Sequence, residues 1–463
     1  MTTNLTADRF GTPTNAKKYT IAVWFKLTKN NRHKILSYNY GNGNIGIVIE
    51  VRTNDQTFRV NEFVPGADRY DVRTNRALRD YGAWYHAVIA YDSTQSTASD
   101  RVKIYINGVQ ETSFAASNYP SQDLDSFISA TPNNNKGFLI GASYNSAGNI
   151  DATNYFCGYM SQLIFVDGTA YTPSTFGSTD SNGVWIPNTS PSVTYGTNGF
   201  KLEFKNSGAS AATGNFGADT SGNNNHFTSN NLGTNPNTKD SPTNVFATWN
   251  ANTAFRSTSF NGTPGGSIEG GGLKAVGGGG AVSIGFASTI AVNSGKWYAE
   301  FKAAATNYTQ FGVGDVGTWT QTYGIGGASK AQIYGANVIG WDRTIYYINS
   351  TSSTSGATTF SDGDICQIAI DADTRKVWFG VNGTYNSSGN PAGGSNEIGT
   401  VTGTGPLVFL CRPESTNVLA NFGNPPFTIS SSNADANGYG SFEYAVPSGF
   451  YALCTKNLAQ YGG

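Results

Sequence analysis

The glutamates of this sequence could carry acid–base chemistry only if they came together in pairs. Hydrolysis of a glycosidic bond needs two carboxyl groups facing each other across the bond, about 5–5.5 Å apart in enzymes that retain the sugar's configuration. Two acids at strand spacing would supply such a pair. The following glutamates are each isolated from another acid at that spacing: Glu50, Glu62, Glu111, Glu203, Glu300, Glu397 and Glu443. We therefore predict that the protein is not an enzyme.

The histidines do not change this prediction. His33, His86 and His226 are the only ones, and they form no His-Glu-x-x-His metal motif. His86 follows Trp84 in a predicted strand, which favours a hydrogen-bonded structural histidine over a catalytic one. The Gly-x-Ser-x-Gly motif that exposes a nucleophilic serine does not occur either.

Metal and redox sites are not indicated by the spacing of the ligand-type residues. Asp92, Asp100 and Asn107 flank a predicted hairpin, but calcium needs several converging oxygen ligands, and Asp and Asn are ordinary turn residues. The four cysteines are scattered without the paired spacings of zinc sites, so buried thiols are predicted, with one disulfide as the alternative. We predict no metal and no cofactor.

Composition and charge indicate an all-β protein. Gly 57, Tyr 25, Phe 27 and Trp 8, with only 13% charged residues, are typical of short strands joined by turn-rich loops. Lys and Arg number 29 against 30 acidic residues, which predicts no nucleic-acid partner and no membrane insertion. The N-terminus lacks a basic segment followed by an apolar one, so we expect synthesis in a cytoplasm without secretion.

Two similar hairpins organise the chain. Residues 365–370 and 376–381 predict two strands that end at Asn382-Gly383, and residues 84–92 and 101–107 repeat this pattern before Gly108. Asn-Gly favours a tight turn because both residues tolerate a positive φ. Two copies about 275 residues apart predict two sandwich domains of related design.

Alternation within the strands predicts which aromatic residues are buried. In residues 296–301, Trp297, Ala299 and Phe301 share one face of the strand. We interpret Trp24, Trp84, Trp297 and Trp378 as packing residues of the sandwich cores rather than as sugar platforms.

The glycine-rich stretch 265–280 lacks the Gly-Lys-Ser/Thr of a phosphate-binding loop, so it is predicted to form a hairpin.

Residues 10–187 resemble the laminin-G/pentraxin-like concanavalin family. The resemblance rests on Ile21-Ala-Val-Trp-Phe25, Trp84-Tyr-His86, Phe138-Leu-Ile-Gly141 and Pro173-Ser-Thr-Phe-Gly177 in that order. It implies a jelly-roll sandwich of two antiparallel sheets, often used to recognise sugars or proteins. Residues 1–18 lack the usual opening strand. Residues 199–204 and 217–226 resemble that strand, so we hypothesise that 199–230 complete the first sandwich, with a linker as the alternative.

Residues 251–463 resemble the SPRY family, another concanavalin-related sandwich. The ordered motifs are Gly295-Lys-Trp-Tyr-Ala-Glu300, Phe311-Gly-Val-Gly314, Asp362-Gly-Asp-Ile365 and Asn421-Phe-Gly423. The predicted fold is therefore two tandem concanavalin-like jelly-roll antiparallel β-sandwiches, at 1–187 and 251–463, joined by a connecting segment at 188–250. The resemblance implies that partner-binding loops lie in the second domain.

Aromatic residues interleaved with polar groups in predicted loops are the candidate ligand platforms. Aromatic rings stack on sugars or peptides, while Asn, Asp and Arg provide directional hydrogen bonds. Small satellite cores or an oligomer interface are the alternative for the same residues. The candidate ligand-binding residues are Tyr38, Tyr40, Trp319, Tyr323, Tyr334, Trp341, Asp342 and Arg343.

The tandem arrangement resembles virion surface proteins of tailed bacteriophages. The resemblance implies a structural protein of the particle, a tail fibre or head fibre/decoration component, assembled in the host cytoplasm. Its expected partners are other virion proteins, further copies of itself and a host surface glycan. A cell-surface adhesin or lectin outside a virion is the alternative, and a polysaccharide depolymerase is the third possibility.

Overall fold

Antiparallel β-strands form nearly all of the regular structure. The computed structural model describes residues 4–8, 10–40, 45–129, 137–145, 147–151, 153–231, 237–251, 266–278, 285–303, 309–316, 333, 336–343, 345–349, 352–355, 357–413 and 416–462. Within these ranges the one α-helix is α1 (Thr455–Tyr461). In the same ranges no helix has the length and apolar character of a membrane-spanning segment. The predicted all-β class is confirmed.

The chain divides into two units, Met1–Asn237 and Thr238–Gly463. In the first unit an eight-stranded sheet has the order β10-β6-β5-β4-β3-β11-β1-β16, and a six-stranded sheet has the order β15-β12-β2-β7-β8-β9. Its strands are β1 (Asn4–Ala7), β2 (Lys18–Leu27), β3 (His33–Asn39), β4 (Gly46–Val51), β5 (Thr57–Val64), β6 (Ala67–Ala77), β7 (Trp84–Asp92), β8 (Val102–Ile106), β9 (Val109–Gln110), β10 (Phe114–Asn118), β11 (Phe138–Ile140), β12 (Gly158–Asp167), β13 (Gly177–Thr179), β14 (Trp185–Pro187), β15 (Phe200–Leu202) and β16 (Thr228–Asn230).

An aromatic cluster joins the two sheets of the first unit. Phe138 of β11 lies 5.4 Å from Phe165 of β12, measured between ring centroids. Phe200 of β15 packs edge-on against Phe138 at 5.2 Å, and Phe227 packs against Phe200 at 4.8 Å. All four rings are buried. This contact between the inner faces is the core of the sandwich, where burying each large aromatic ring stabilises the fold by about 1.5–3 kcal/mol.

The segment 199–230 packs on the first unit at both of its ends. β15 pairs with β12, and β16 pairs with β1. Between them Asp219 fixes the chain, because its carboxylate accepts hydrogen bonds from the backbone amides of Lys201, Ser221 and Asn225. These contacts make the segment part of the eight-stranded and six-stranded sheets.

The second unit also contains two sheets. One has the order β17-β18-β30-β20-β25-β26-β27, with β28 beside β26 and β31 beside β20, and the other has the order β19-β29-β21-β22-β23-β24. Its strands are β17 (Gly266–Glu269), β18 (Lys274–Gly277), β19 (Phe286–Ala287), β20 (Lys296–Ala303), β21 (Gln310–Asp315), β22 (Val338–Asp342), β23 (Ile345–Ile348), β24 (Ser352–Ser355), β25 (Ile365–Asp371), β26 (Lys376–Val381), β27 (Thr384–Tyr385), β28 (Gly399–Thr400), β29 (Leu407–Arg412), β30 (Asn417–Asn421) and β31 (Tyr451–Ala452).

The core of the second unit contains the aromatic face predicted from alternation. Trp297, Ala299 and Phe301 all belong to the main buried cluster, and Phe301 lies 5.4 Å from Phe311 of the opposing sheet. Trp378 faces the other way and is buried in a smaller cluster with Phe450. Together with Trp24 and Trp84 of the first unit, these tryptophans are all buried, which confirms their prediction as packing residues.

The second unit begins earlier in the chain than the predicted boundary at residue 251. Ala247 and Trp249 lie in its core, and Trp249 stacks on Phe301 at 5.7 Å. Phe246 forms a β-bridge with Cys454 near the end of the chain. The turn-forming residues of this stretch suggested a linker, but its apolar side chains fill space between the sheets, so residues 238–250 belong to the second unit.

Both predicted hairpins and their Asn-Gly turns are present. β7 pairs with β8, and β25 pairs with β26. The turns after β8 and β26 have positive φ at both residues, 50° and 80° for Asn107 and Gly108, and 49° and 87° for Asn382 and Gly383. The glycine-rich stretch forms the β17–β18 hairpin.

All four cysteines are free; three are buried and Cys157 is half-buried.

His86 and His33 are structural residues of the first unit. His86 stacks on Trp24 at 4.6 Å, and its Nδ1 accepts a hydrogen bond from Trp185 Nε1 at 3.0 Å. His33 Nδ1 accepts from the amide of Cys157 at 3.2 Å. Burial lowers the pKa of His86 to about 3 and that of His33 to about 4. Both rings are therefore neutral in the folded protein at neutral pH.

Acidification is expected to remove stability through His86. Below about pH 6.5 the unfolded chain protonates this histidine, whereas the folded state does not until about pH 3. Its contribution is present above pH 6.5 and is lost as the pH falls, by about 1.4 kcal/mol per pH unit. Urea unfolding at pH 7 and pH 5 should show a shallower pH dependence for His86→Gln than for the wild type. Equal slopes would contradict the structural role of the neutral ring.

Candidate functional site

The outer face of the eight-stranded sheet carries polar side chains in rows that cross its strands. Side chains alternate along each strand, so Ile47 and Ile49 face the core while Val48 and Glu50 face away from it. One outward row contains Ser37, Val48, Asn61, Asp71 and Asn118, and the next contains Lys34, Glu50, Arg59 and Arg73. We call these two rows, with Phe63 and Tyr144 beside them, the polar face.

Arg59 lies at the centre of the polar face. Its Nε and Nη2 donate to the two carboxylate oxygens of Asp71 at 2.7 and 2.9 Å. Its Nη1 lies 3.6 Å from Glu50, which also accepts hydrogen bonds from Arg32 at 2.8 and 2.9 Å. Two parallel bonds between a guanidinium and a carboxylate fix the orientation of both groups. The polar face therefore presents pre-oriented hydrogen-bonding groups.

A shallow depression lies next to these groups. It has a volume of about 10 Å³, enough for about one water molecule. Phe63 and Tyr144 are its half-buried aromatic residues, and Asn61 beside it donates to Asp68 Oδ1 at 2.9 Å. The lining consists of Ser37, Tyr38, Asn39, Ile45, Ile47, Val48, Phe63, Ser143 and Tyr144. The depression itself has room for a water molecule and not for a sugar, so a sugar would have to lie across it, against the half-buried rings and the fixed polar groups.

The carboxylates of the polar face are not arranged for acid catalysis. Burial raises the pKa of Glu50, but the bonds from Arg32 and Lys34 outweigh this effect and lower it to about 2. Glu50 is therefore ionised at neutral pH and cannot donate a proton to a leaving group. Burial raises the pKa of Glu62 to about 7, but this residue binds Arg69 and Ser126 Oγ on the core side of its strand.

Glu300, the most buried of the glutamates that the structure describes in the second unit, also has a structural role. Burial raises its pKa, while bonds from the backbone amides of Tyr444 and Glu443 oppose that shift. Its carboxylate also accepts a hydrogen bond from Asn421 at 3.1 Å. Glu300 thus ties the chain near residue 443 to β20 and has no acidic partner for hydrolysis among these contacts.

The candidate platforms of the first unit occupy different environments. Tyr38 is 1% exposed and lies in the core beside Phe138 at 4.9 Å, so its ring cannot stack on a ligand. Tyr40 is half-buried at the end of β3 and stacks on Phe127 at 4.7 Å, and the guanidinium of Arg69 lies 4.0 Å from the ring of Phe127. The prediction of Tyr38 as a platform is therefore wrong, and Tyr40 remains a candidate.

In the second unit Trp341 was predicted to lie in a loop, but it lies in the core. Trp341 lies in β22 with 0% exposure and contacts Phe360 at 5.0 Å and Phe379 at 5.3 Å. Asp342 accepts a hydrogen bond from Gln310 at 3.2 Å, and burial raises the pKa of its carboxyl group. Arg343 donates a hydrogen bond to the carbonyl of Phe360 at 3.0 Å. The platform role of Trp341 is wrong because no ring face is accessible. Trp319, Tyr323 and Tyr334 lie outside the described residues.

The principal residues of the polar face, Arg59, Asn61 and Asp71, were missing from the predicted site. A signal for them exists, because Phe58 and Val60 alternate with Arg59 and Asn61 along β5. That alternation predicts an outward polar row, but it does not reveal that Asp71 of β6 lies within reach of Arg59.

The residues considered for calcium make other contacts. Asp92 accepts hydrogen bonds from Thr94 and Gln95 and pairs with Lys18 at 3.1 Å. Asn107 Oδ1 accepts from the amide of His86 at 2.8 Å. Throughout the described ranges, no three His, Cys, Asp or Glu residues are grouped so that they could hold a metal ion.

Comparisons with known proteins agree with this architecture. Residues 2–169 match the profile of the concanavalin A-like lectin/glucanases superfamily, Laminin_G_3. The first unit contains a concanavalin-like domain. No curated protein matches the chain.

The solved structures that match this chain have low sequence identities and low TM-scores. The SPRY domain of human HERC1 is 16% identical, with a TM-score of 0.25, and the match covers 34% of this chain and 91% of that domain. A pentraxin from Limulus polyphemus is 15% identical, with a TM-score of 0.28 and coverages of 41% and 87%. A Bacteroides ovatus protein proposed to bind carbohydrate is 18% identical, with a TM-score of 0.33 and coverages of 50% and 58%.

Proposed function

We propose that this protein binds glycans through the polar face of its first unit and does not cleave them. The observation that carries the proposal is the two-bond Arg59–Asp71 pair on the sheet that also carries Phe63, whose half-buried ring lines the depression together with Tyr144. Sugars offer hydroxyl groups to such oriented polar groups and apolar ring faces to aromatic residues. The match to a superfamily of lectins and glucanases supports carbohydrate as the ligand class.

The carboxylates favour the lectin over the glucanase within that superfamily. A glycosidase needs one protonated and one ionised carboxyl group across the bond. On the polar face Glu50 is held ionised by Arg32 and Lys34, and Asp71 is bound by Arg59. The polar face therefore supports binding without hydrolysis.

We further propose that the protein is a structural component of a phage particle surface, where glycan binding would contact the host. The tandem of a laminin-G-like and a SPRY-like sandwich supports this proposal through its resemblance to virion surface proteins. Mass spectrometry of purified particles should detect the chain at the abundance of a structural component. Its absence from the particles would contradict this assignment and would favour an adhesin or lectin outside a virion.

Asp71→Ala is expected to weaken glycan binding about tenfold or more, because it removes an acceptor and releases Arg59 from its fixed orientation. Loss of a hydrogen bond to a charged group costs about 1.5–3 kcal/mol. Isothermal titration with an oligosaccharide identified on a glycan array would measure the change. Asp100→Asn is the matched control, since Asp100 pairs with Lys103 in the same unit and is not part of the polar face. Equal affinities for Asp71→Ala and Asp100→Asn would contradict the site.

A further inference from the structure

Asparagine followed by glycine is a pair of residues that can react within the chain. The backbone nitrogen of the glycine can attack the side-chain carbonyl carbon of the asparagine, and the missing side chain of glycine leaves the approach open. Asparagine is for this reason a thermolabile residue. The pairs at 42–43 and 261–262 lie outside the described residues, and the described pairs are Asn107-Gly108, Asn182-Gly183, Asn198-Gly199, Asn382-Gly383 and Asn437-Gly438.

Four of these five asparagine side chains are held by a hydrogen bond to another part of the chain. A carboxamide held in this way must give up its bond before its carbon can turn to the nitrogen of the following glycine. The bonds join Asn107 Oδ1 to the amide of His86, Asn198 Oδ1 to the amide of Gly11, Asn382 Oδ1 to the amide of Ile365 and Asn437 Nδ2 to Asn457 Oδ1, at 2.8, 2.8, 3.0 and 2.8 Å.

Asn182 differs from the other four. It is exposed in the turn that joins β13 to β14, and its backbone amide donates to Asp180 Oδ1 at 2.9 Å. Its carboxamide makes no hydrogen bond to any residue that the structure describes. The amide of Gly183 donates to the carbonyl of Asp180 at 3.1 Å, and a Cβ placed on Gly183 would meet no atom within 4 Å. The side chain of Asn182 therefore has open space in which to turn to this nitrogen.

We propose that Asn182 is a site of spontaneous deamidation in the folded protein. The nitrogen of Gly183 loses its proton and forms a bond to Cγ of Asn182, while the bond from Cγ to Nδ2 breaks and ammonia leaves with that proton. Water then opens the cyclic succinimide at either of its two carbonyl groups. The product is an aspartate or an isoaspartate at position 182, and water is the only co-reactant. An isoaspartate lengthens the main chain between β13 and β14.

Ageing of the full chain tests this proposal. Folded protein and protein unfolded in guanidinium chloride would be incubated in parallel at mildly alkaline pH, which favours loss of the amide proton. Fragmentation mass spectra of proteolytic peptides would give the rate at each asparagine. Similar rates are expected for the five pairs in the unfolded chain. In the folded chain Asn107 and Asn382 should react about two- to tenfold more slowly than Asn182, the effect of one net hydrogen bond.

A rate at Asn182 that is no higher than the rates at Asn107 and Asn382 in the folded chain would overturn the proposal. Asn182→Gln is the control variant, because its longer side chain would have to close a larger ring, and it should remove the mass change from this peptide. The exposed position of Asn182 allows this substitution without a change in packing. Persistence of the mass change in the peptide of the variant would place the reaction at another residue and would also overturn the proposal.

Discussion

Trp341→Ala is expected to destabilise the second unit by about 3–5 kcal/mol, as large-to-small aromatic substitutions in cores do, and to leave glycan binding unchanged. Trp341 is fully buried and packs between Phe360 and Phe379. Alanine would leave a cavity in the core between the two sheets, because the neighbouring strands move only partly into the space that the indole ring leaves. Urea unfolding followed by circular dichroism would measure the loss.

Trp341→Phe is the matched control. It keeps an aromatic ring at the site and removes a buried indole N–H that has no hydrogen-bond partner among the residues that the structure describes. A smaller loss of stability than in the alanine variant is therefore expected. Loss of glycan binding in Trp341→Ala without loss of stability would contradict the core assignment and restore Trp341 as a ligand platform.

A fragment that ends at residue 187 is expected to lose the cooperative unfolding that a fragment ending at residue 237 retains. The shorter chain lacks β15, β16 and the rings of Phe200 and Phe227, which fill the core around Phe138. It would also expose the edges of both sheets, where unpaired backbone groups promote aggregation. Calorimetry of the two fragments would compare their transitions. Equal cooperative transitions would show that residues 199–230 are only a linker.

Single substitutions refine the same test in the full chain. Phe227→Ala should destabilise the first unit by about 3–5 kcal/mol, because the ring is buried and lies 4.8 Å from Phe200. Ser207→Ala in the same segment should change stability by less than about 0.5 kcal/mol, because Ser207 is exposed. Similar effects of both substitutions would contradict the packing of this segment.

Local pattern was sufficient to predict much of the fold. The Asn107-Gly108 and Asn382-Gly383 turns follow from backbone preferences that those residues carry wherever they occur. The burial of Trp297 and Phe301 follows from alternation along a single strand. Each of these predictions depends on residues close together in sequence, which explains why the sequence alone was informative.

The candidate site depends on distant pairings and was less predictable. Arg59 reaches Asp71 only because β5 and β6 pair in the observed register, with an irregularity near Glu62. The sequence Trp341-Asp-Arg343 has polar neighbours typical of a loop, yet it lies in β22 between β21 and β23. The ring of Trp341 is buried against Phe360 and Phe379. Whether a side chain is buried or exposed depends on which strands lie next to its own. The sequence did not predict the order of the strands in each sheet.

A structure of the full chain bound to an array-positive oligosaccharide tests the central claim most directly. Sugar density is expected on the polar face, with hydroxyl groups within hydrogen-bonding distance of Asn61 and Asp71 and one ring face against Phe63 or Tyr144. Density in the second unit, or elsewhere on the first unit with the Arg59–Asp71 pair uncontacted, would contradict it.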